Sequence, residues 1–263
     1  MRPQRRSKEL SSQQLPPKAR DLIWDGCLNV RDLGGFPVDG GETRFGSVVR
    51  ADSVSQLTRA GWEALAGYGV RTVLDLRGDH EREDDPPREL HVEVLHVPFM
   101  EASEEEWEEI AAELEALVDE PVPVATRDAY LIFLERFRPN VGAAVRAVAH
   151  APEGAVVIHC VGGKDRTGLL TALLLYLAGV PVEEIAADYA LSEERLRPRH
   201  EKWIEAAQSD AERRQLERIA QCPPEAIVEV FAELGRRYGS VEDYLRAAGV
   251  SDEELELARA RLK

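Results

Sequence analysis

The sequence predicts an α/β fold with a central, mostly parallel sheet flanked by helices and a helix-rich C-terminal half. Three observations point to it. Apolar runs at Val70 to Leu76, Val92 to Val97 and Ala155 to Cys160 are bounded by turn or charged residues and read as strands. Helical periodicity dominates from Ser103 onward. With 44% hydrophobic and 31% charged residues in a chain of 263, there is enough apolar surface for one sizeable core.

The elements follow in order. Residues 1–20 hold six bases and one acid, with Pro3, Pro16 and Pro17, and read as a flexible basic tail before a domain spanning 21–263. After the first two strand runs, Ser103 with Glu106 forms a Ser-x-x-Glu helix start, and Ser251 with Glu254 repeats it near the end. Between Glu101 and Glu120 stand ten acids and no base, while Trp107, Ile110, Leu114, Leu117 and Val118 share one helical face. This segment is either a surface helix with a solvated face or, over 101–125, an inserted helical lid with Pro121-Val-Pro123 as its hinge. Leu169 to Val180 is mostly apolar but only twelve residues long, well short of the ~20 that span a bilayer, and reads as a buried core helix.

Composition narrows the function classes. The net charge of −16 disfavours nucleic acid and anionic membranes as partners. Three cysteines (Cys27, Cys160, Cys222) with no Cys-x-x-Cys spacing fit neither a disulfide framework nor a four-cysteine zinc site. Together with the lack of a classical export signal, they suggest the cytoplasm. The six histidines are scattered and His-Glu-x-x-His is absent, so no metal and no other cofactor is expected.

The chemistry concentrates in Val156-Val-Ile-His159-Cys160-Val161-Gly162-Gly163-Lys164-Asp165-Arg166-Thr167-Gly168, a strand, a glycine-containing loop and a helix start. Backbone N–H groups from Val161 through Gly162, Gly163, Lys164 and Asp165 to Arg166 can converge on one tetrahedral anion, aided by the positive end of the following helix. Cys160 at the base of that cradle is placed as a thiolate nucleophile. Arg166 offers a planar fork for two phosphoryl oxygens. Thr167 can donate its hydroxyl to the sulfur, and His159 is expected to orient the loop rather than act as a base. A Walker A loop fails because Lys164 is followed by Asp165, and no Gly-x-Ser-x-Gly elbow occurs.

This loop, His-Cys-x5-Arg-Thr-Gly in its Gly-Lys-Asp-Arg-Thr-Gly form, resembles the signature of the cysteine-based protein tyrosine phosphatase superfamily, in its atypical bacterial tyrosine and dual-specificity group. The likeness extends through Asn29-Val-Arg31-Asp32-Leu-Gly34-Gly35, Arg50-Ala-Asp52-Ser53, Leu57-Thr58-x-x-Gly61, the strand from Val70 through Asp75 to Arg77, Asp188-Tyr189-x-Leu-Ser192 and Tyr238-Gly239-Ser240. It implies a metal-independent phosphomonoesterase acting through a phosphocysteine intermediate, with Cys160 as nucleophile and Arg166 as phosphate clamp. Phosphotyrosine is the implied substrate, and Lys164 extends the expectation to phosphoserine, phosphothreonine or phosphoinositides. The subgroup places the general acid inside the loop, at Asp165, with Asp75 or Asp79 next in line. Arg31, Arg50, Arg71 and Arg77 are candidates to extend the phosphate site, although singly each reads as a surface or structural arginine. Cys27 is a candidate resolving thiol for oxidised Cys160. Two other classes remain open: a phosphate-recognition module without chemistry, and a cysteine-dependent arsenate reductase or sulfurtransferase.

Overall fold

A computed structural model describes residues 20–86 and 92–263. In chain order its elements are β1 (Arg31–Asp32), β2 (Pro37–Val38), β3 (Gly41–Glu42), β4 (Val48–Ala51), α1 (Arg59–Gly67), β5 (Val70–Asp75), β6 (Glu93–His96), α2 (Glu104–Glu115), α3 (Val122–Arg136), α4 (Arg138–His150), β7 (Ala155–His159), α5 (Arg166–Ala178), α6 (Val182–Glu205), α7 (Asp210–Ala220), α8 (Pro224–Tyr238), α9 (Val241–Ala247) and α10 (Asp252–Leu262). The expected basic tail lies outside the described residues except for Arg20. That residue is anchored, lying over the Phe36 ring and paired with Asp188.

The main sheet runs β1-β4-β7-β5-β6, with β1 antiparallel to β4 and every other pairing parallel; β2 and β3 form a separate hairpin. β7 lies at the centre because its side chains are apolar on both faces, as a doubly covered parallel strand requires. Val156 and Ile158 enter the larger core beneath the C-terminal helices, whereas Ala155 and Val157 enter a smaller core with Trp24, Leu65 and Val73 on the α1 side. The register places His159 opposite both Ala51 and Asp75, so the ends of β4, β5 and β7 meet where β7 gives way to the glycine loop. Such a crevice, at the carboxyl ends of parallel strands, is where open α/β sheets hold their ligands.

The three expected strands form, each slightly shorter than its apolar run. β4 was not legible as a strand, because one of its four residues is the fully buried Arg50. Both Ser-x-x-Glu starts are reciprocal capping boxes, Ser103 with Glu106 and Ser251 with Glu254. α2 stops at Glu115, which leaves Leu117 and Val118 in the turn beyond it instead of on its apolar face. Pro121 and Pro123 open α3 at its cap and second position, where a missing N–H costs nothing. α5 is buried along nearly its whole length and ends at Gly179, whose φ of 87° suits a left-handed cap. No helix among the described residues is long and apolar enough to cross a membrane.

Candidate active site

The loop between β7 and α5 is held from behind by its carbonyls. Asn29 donates its side-chain amide to the carbonyls of Gly162 and Gly163 at 3.1 and 3.0 Å, and Arg50 donates to Gly163 at 2.7 Å. The Ser53 N–H reaches the Val161 carbonyl at 3.0 Å, and His159 Nδ1 lies 3.2 Å from the carbonyl of Cys160. These bonds engage the carbonyls of Cys160, Val161, Gly162 and Gly163. Gly163 is required for the turn: its φ is +64°, and a Cβ there would stand 2.3 Å from the Ala51 carbonyl oxygen. Cys160 is buried at the end of the sheet.

Arg166, the first residue of α5, is gripped by a carboxylate that the sequence did not disclose. Its two terminal nitrogens donate to Glu81 Oε2 and Oε1 at 2.5 and 2.8 Å. Burial alone would pull the guanidinium down; Glu81 and the nearby Cys160 sulfur more than reverse this, so the group stays charged. Glu81 is in turn held below the usual carboxylate range: burial raises it, but the Arg166 hydrogen bonds and charge outweigh that.

Asp165 sits at the rim with its side chain 42% exposed. Its Oδ1 accepts from Lys164 Nζ at 2.7 Å and from the Tyr130 hydroxyl at 2.6 Å. Crowding by the pocket walls raises its carboxyl, yet Lys164, Tyr130 and Arg166 outweigh this and the net direction is downward. Lys164 is likewise kept charged, since Asp165 offsets the lowering effect of burial.

Lys164, Asp165 and Arg166 line a pocket of about 1510 Å³, together with His80 and Glu81. Trp107 and Leu114 of α2 and Tyr130 and Phe133 of α3 also line it, as do Arg214, Arg218 and Ile219 of α7. The acidic helix therefore borders the site, with Arg136 of α3 fastening its Glu109 and Glu113. α7, which the sequence did not single out, also lines the pocket. Arg218 on α7 donates to the Glu120 carbonyl at 2.6 Å, linking α7 to the segment that follows α2.

The remaining candidates fall as follows. Thr167 is fully buried, but its hydroxyl has no hydrogen-bond partner among the described residues, the Cys160 sulfur included. The first turn of α5 fixes its backbone, so only rotation about χ1 could redirect it. None of Arg31, Arg50, Arg71 and Arg77 lines the pocket. Arg31 and Arg50 are buried behind the loop, both paired with Asp188 at 2.9 and 2.8 Å. Arg77 is bound to Asp75 and Asp85, and Arg71 is exposed. Asp75 is a buried brace: Arg77 holds both of its oxygens, and its carboxyl falls to about 2 because Arg77 and His159 overcome the upward push of burial. Its Oδ1 lies 3.6 Å from His159 Nε2, which ties the end of β5 to the residue before Cys160. Asp79 is exposed beside Arg82 and His96. Of the three aspartates weighed as acids, only Asp165 lines the pocket.

The model of the tyrosine phosphatase family matches residues 22–263. A tyrosine-protein phosphatase of Nostoc commune is 29% identical over 231 residues, covering 81% of this chain and 73% of that protein. The triple specificity protein phosphatase PtpB of Mycobacterium tuberculosis is 25% identical over 265 residues, covering 86% and 93%. A family match across nearly the whole domain leaves one conclusion: the chain belongs to the tyrosine phosphatase family.

Proposed function

We propose that the protein hydrolyses phosphotyrosine, with phosphoserine, phosphothreonine or phosphoinositides as further candidate substrates, through a phosphocysteine intermediate. The observation that carries this is that Lys164, Asp165 and Arg166, from the loop that begins at Cys160, line one pocket, with the Arg166 fork held there by Glu81. The Cys160 thiolate attacks phosphorus; the sulfur–phosphorus bond forms as the bond to the leaving oxygen breaks, and Asp165 gives that oxygen a proton. Water then attacks the phosphocysteine, Asp165 takes its proton, and inorganic phosphate leaves with the thiolate restored. The loop N–H groups and Arg166 hold the equatorial oxygens throughout.

The charge of Lys164 is engaged by Asp165 rather than left free for a second phosphate group. That favours a phosphorylated side chain over a polyphosphorylated head group. In this reading 101–125, with α7, forms a cover that opens to admit substrate.

The test is hydrolysis of p-nitrophenyl phosphate in EDTA by wild type and Cys160→Ser. Turnover that survives chelation and vanishes in the variant is expected. Turnover retained by Cys160→Ser overturns the nucleophile assignment. Phosphate binding without turnover in wild type replaces the enzyme by a recognition module.

A further inference from the structure

Asp165 occupies the cap position of α5, where an aspartate ordinarily accepts from the N–H groups of the first turn. Its side chain makes no such bond. It is turned instead toward two donors that meet on a single oxygen: the Tyr130 hydroxyl at 2.6 Å and Lys164 Nζ at 2.7 Å both bind Oδ1. A local preference given up at a pocket rim marks a position selected for something other than helix stability.

The tyrosine has support behind it. Tyr130 of α3 and Tyr189 of α6 are both buried, their rings meet edge to face at 5.9 Å, and their hydroxyl oxygens are 2.8 Å apart. A phenol has one proton to give. Since Tyr130 donates it to Asp165, Tyr189 is the donor to Tyr130, and the chain of hydrogen bonds runs Tyr189 to Tyr130 to Asp165.

We propose that Tyr130, backed by Tyr189, is a positioning residue that together with Lys164 saturates Oδ1 of Asp165, so that the transferable proton resides on Oδ2. This rests on the reading of Asp165 as the general acid. An oxygen that already accepts from an ammonium and a phenol stays an acceptor whichever way the carboxyl is charged, so protonation is directed to its partner. Packing against α3 then fixes the direction in which that proton is offered. Around the carboxyl stand Lys164 and Arg166 from the loop and α5, Tyr130 from α3, Tyr189 and His200 from α6, and Cys222 from the segment before α8. Among the uncharged members, Tyr130 alone donates directly to Asp165.

The experiment compares pH profiles of kcat for wild type, Tyr130→Phe, Tyr189→Phe and Asp165→Asn on phenyl phosphate, whose leaving group needs the proton, and on p-nitrophenyl phosphate, whose leaving group needs it less. The acid must be protonated to act, so its ionisation sets the descending limb at high pH. Removing a donor to the carboxylate disfavours the charged form, so Tyr130→Phe should move that limb upward by about one pH unit. It should also lower plateau turnover of phenyl phosphate about tenfold, with a much smaller loss on the nitrophenyl ester. Tyr189→Phe should shift the limb in the same direction by less. If Asp165→Asn abolishes the limb but Tyr130→Phe leaves it at the wild-type position, or lowers both substrates equally, the positioning role is overturned while the acid assignment stands. If Asp165→Asn keeps the wild-type limb and affects both esters alike, the acid assignment itself falls. Each phenylalanine keeps the ring in its packed place, and a thermal unfolding curve for each variant separates loss of fold from loss of proton control.

Discussion

Glu81 and Arg166 form a two-point pair across 85 residues of sequence, with both carboxylate oxygens engaged by the two terminal nitrogens of the guanidinium. A guanidinium has five N–H groups, so Glu81 fixes the plane of the fork while three, Nε–H among them, remain for phosphoryl oxygens. On the proposed reading, the pair removes freedom that Arg166 would otherwise lose on binding substrate. Glu81→Gln, which keeps one acceptor, is expected to raise KM for p-nitrophenyl phosphate modestly. Glu81→Ala should lower kcat/KM by about 10- to 100-fold, the range for loss of an oriented charged contact. Wild-type steady-state kinetics in Glu81→Ala would show that the pair plays no part in turnover.

Asp188 is a second focus of charge, surrounded by Arg20, Arg31 and Arg50. Burial raises its carboxyl, but the three arginines overcome this and hold it well below the usual carboxylate range. A carboxyl depressed in the folded state contributes stability that is complete above its unfolded value of ~3.9 and is lost as pH falls toward the folded value. Thermal unfolding followed from pH 7 to pH 3 should therefore show a steep decline below about pH 4 in wild type. Asp188→Asn leaves Arg31 and Arg50 buried without their counter-charge, and about 3–5 kcal/mol of stability should disappear at pH 7. Because Arg50 also holds the Gly163 carbonyl, activity in the surviving folded fraction should fall as well. A variant with unchanged melting temperature at pH 7 would contradict this account.

The link from Arg218 to the Glu120 carbonyl joins α7 to the segment after α2; if these form the proposed cover, its loss should expose Cys160 more often. A single hydrogen bond is worth about 1 kcal/mol net, or about a fivefold change in the open population. Arg218→Ala should accordingly lose activity to hydrogen peroxide up to fivefold faster than wild type. An unchanged rate would mean that the covers do not gate access. Deleting residues 103–120 tests the same point more severely, since loss of α2 must alter both turnover and peroxide sensitivity if it forms part of a lid.

Peroxide also tests Cys27. Its thiol donates to the Ser53 carbonyl at 3.4 Å, and burial together with neighbouring Asp52 pushes it far above the usual thiol range. A thiol held protonated is a poor resolving nucleophile. Inactivated enzyme should therefore retain a free Cys27 by mass spectrometry, and a trapped Cys27–Cys160 disulfide would refute this.

The sequence made the reactive loop legible because its parts are contiguous: an apolar strand, a cysteine, glycines, an arginine at fixed spacing and a buried helix are written in one stretch. The residues that tune the loop are not written that way. Glu81 reaches Arg166 from the turn after β5, and Tyr130 reaches Asp165 from α3, each through a single side chain whose neighbours give no periodic or spacing signal. Asp188 was visible only within a motif of resemblance; Arg31 and Arg50 fit the structural reading, but nothing in the sequence showed that both would be buried. The acidic helix was read correctly as amphipathic, whereas its companion α7 was missed: it has no fully buried residue, so nothing in its own pattern indicates that it closes a pocket.

The cluster at Asp188 also sets how substitutions in this chain should combine. Arg20, Arg31 and Arg50 are separated along the sequence but share one carboxylate, so the cost of changing any of them depends on whether the others are present. Neutralising Asp188 and one of its buried arginines together should be less harmful than neutralising Asp188 alone. Positions that look independent in the sequence would then drift as a linked set, and the reactive loop would inherit that linkage through the guanidinium of Arg50.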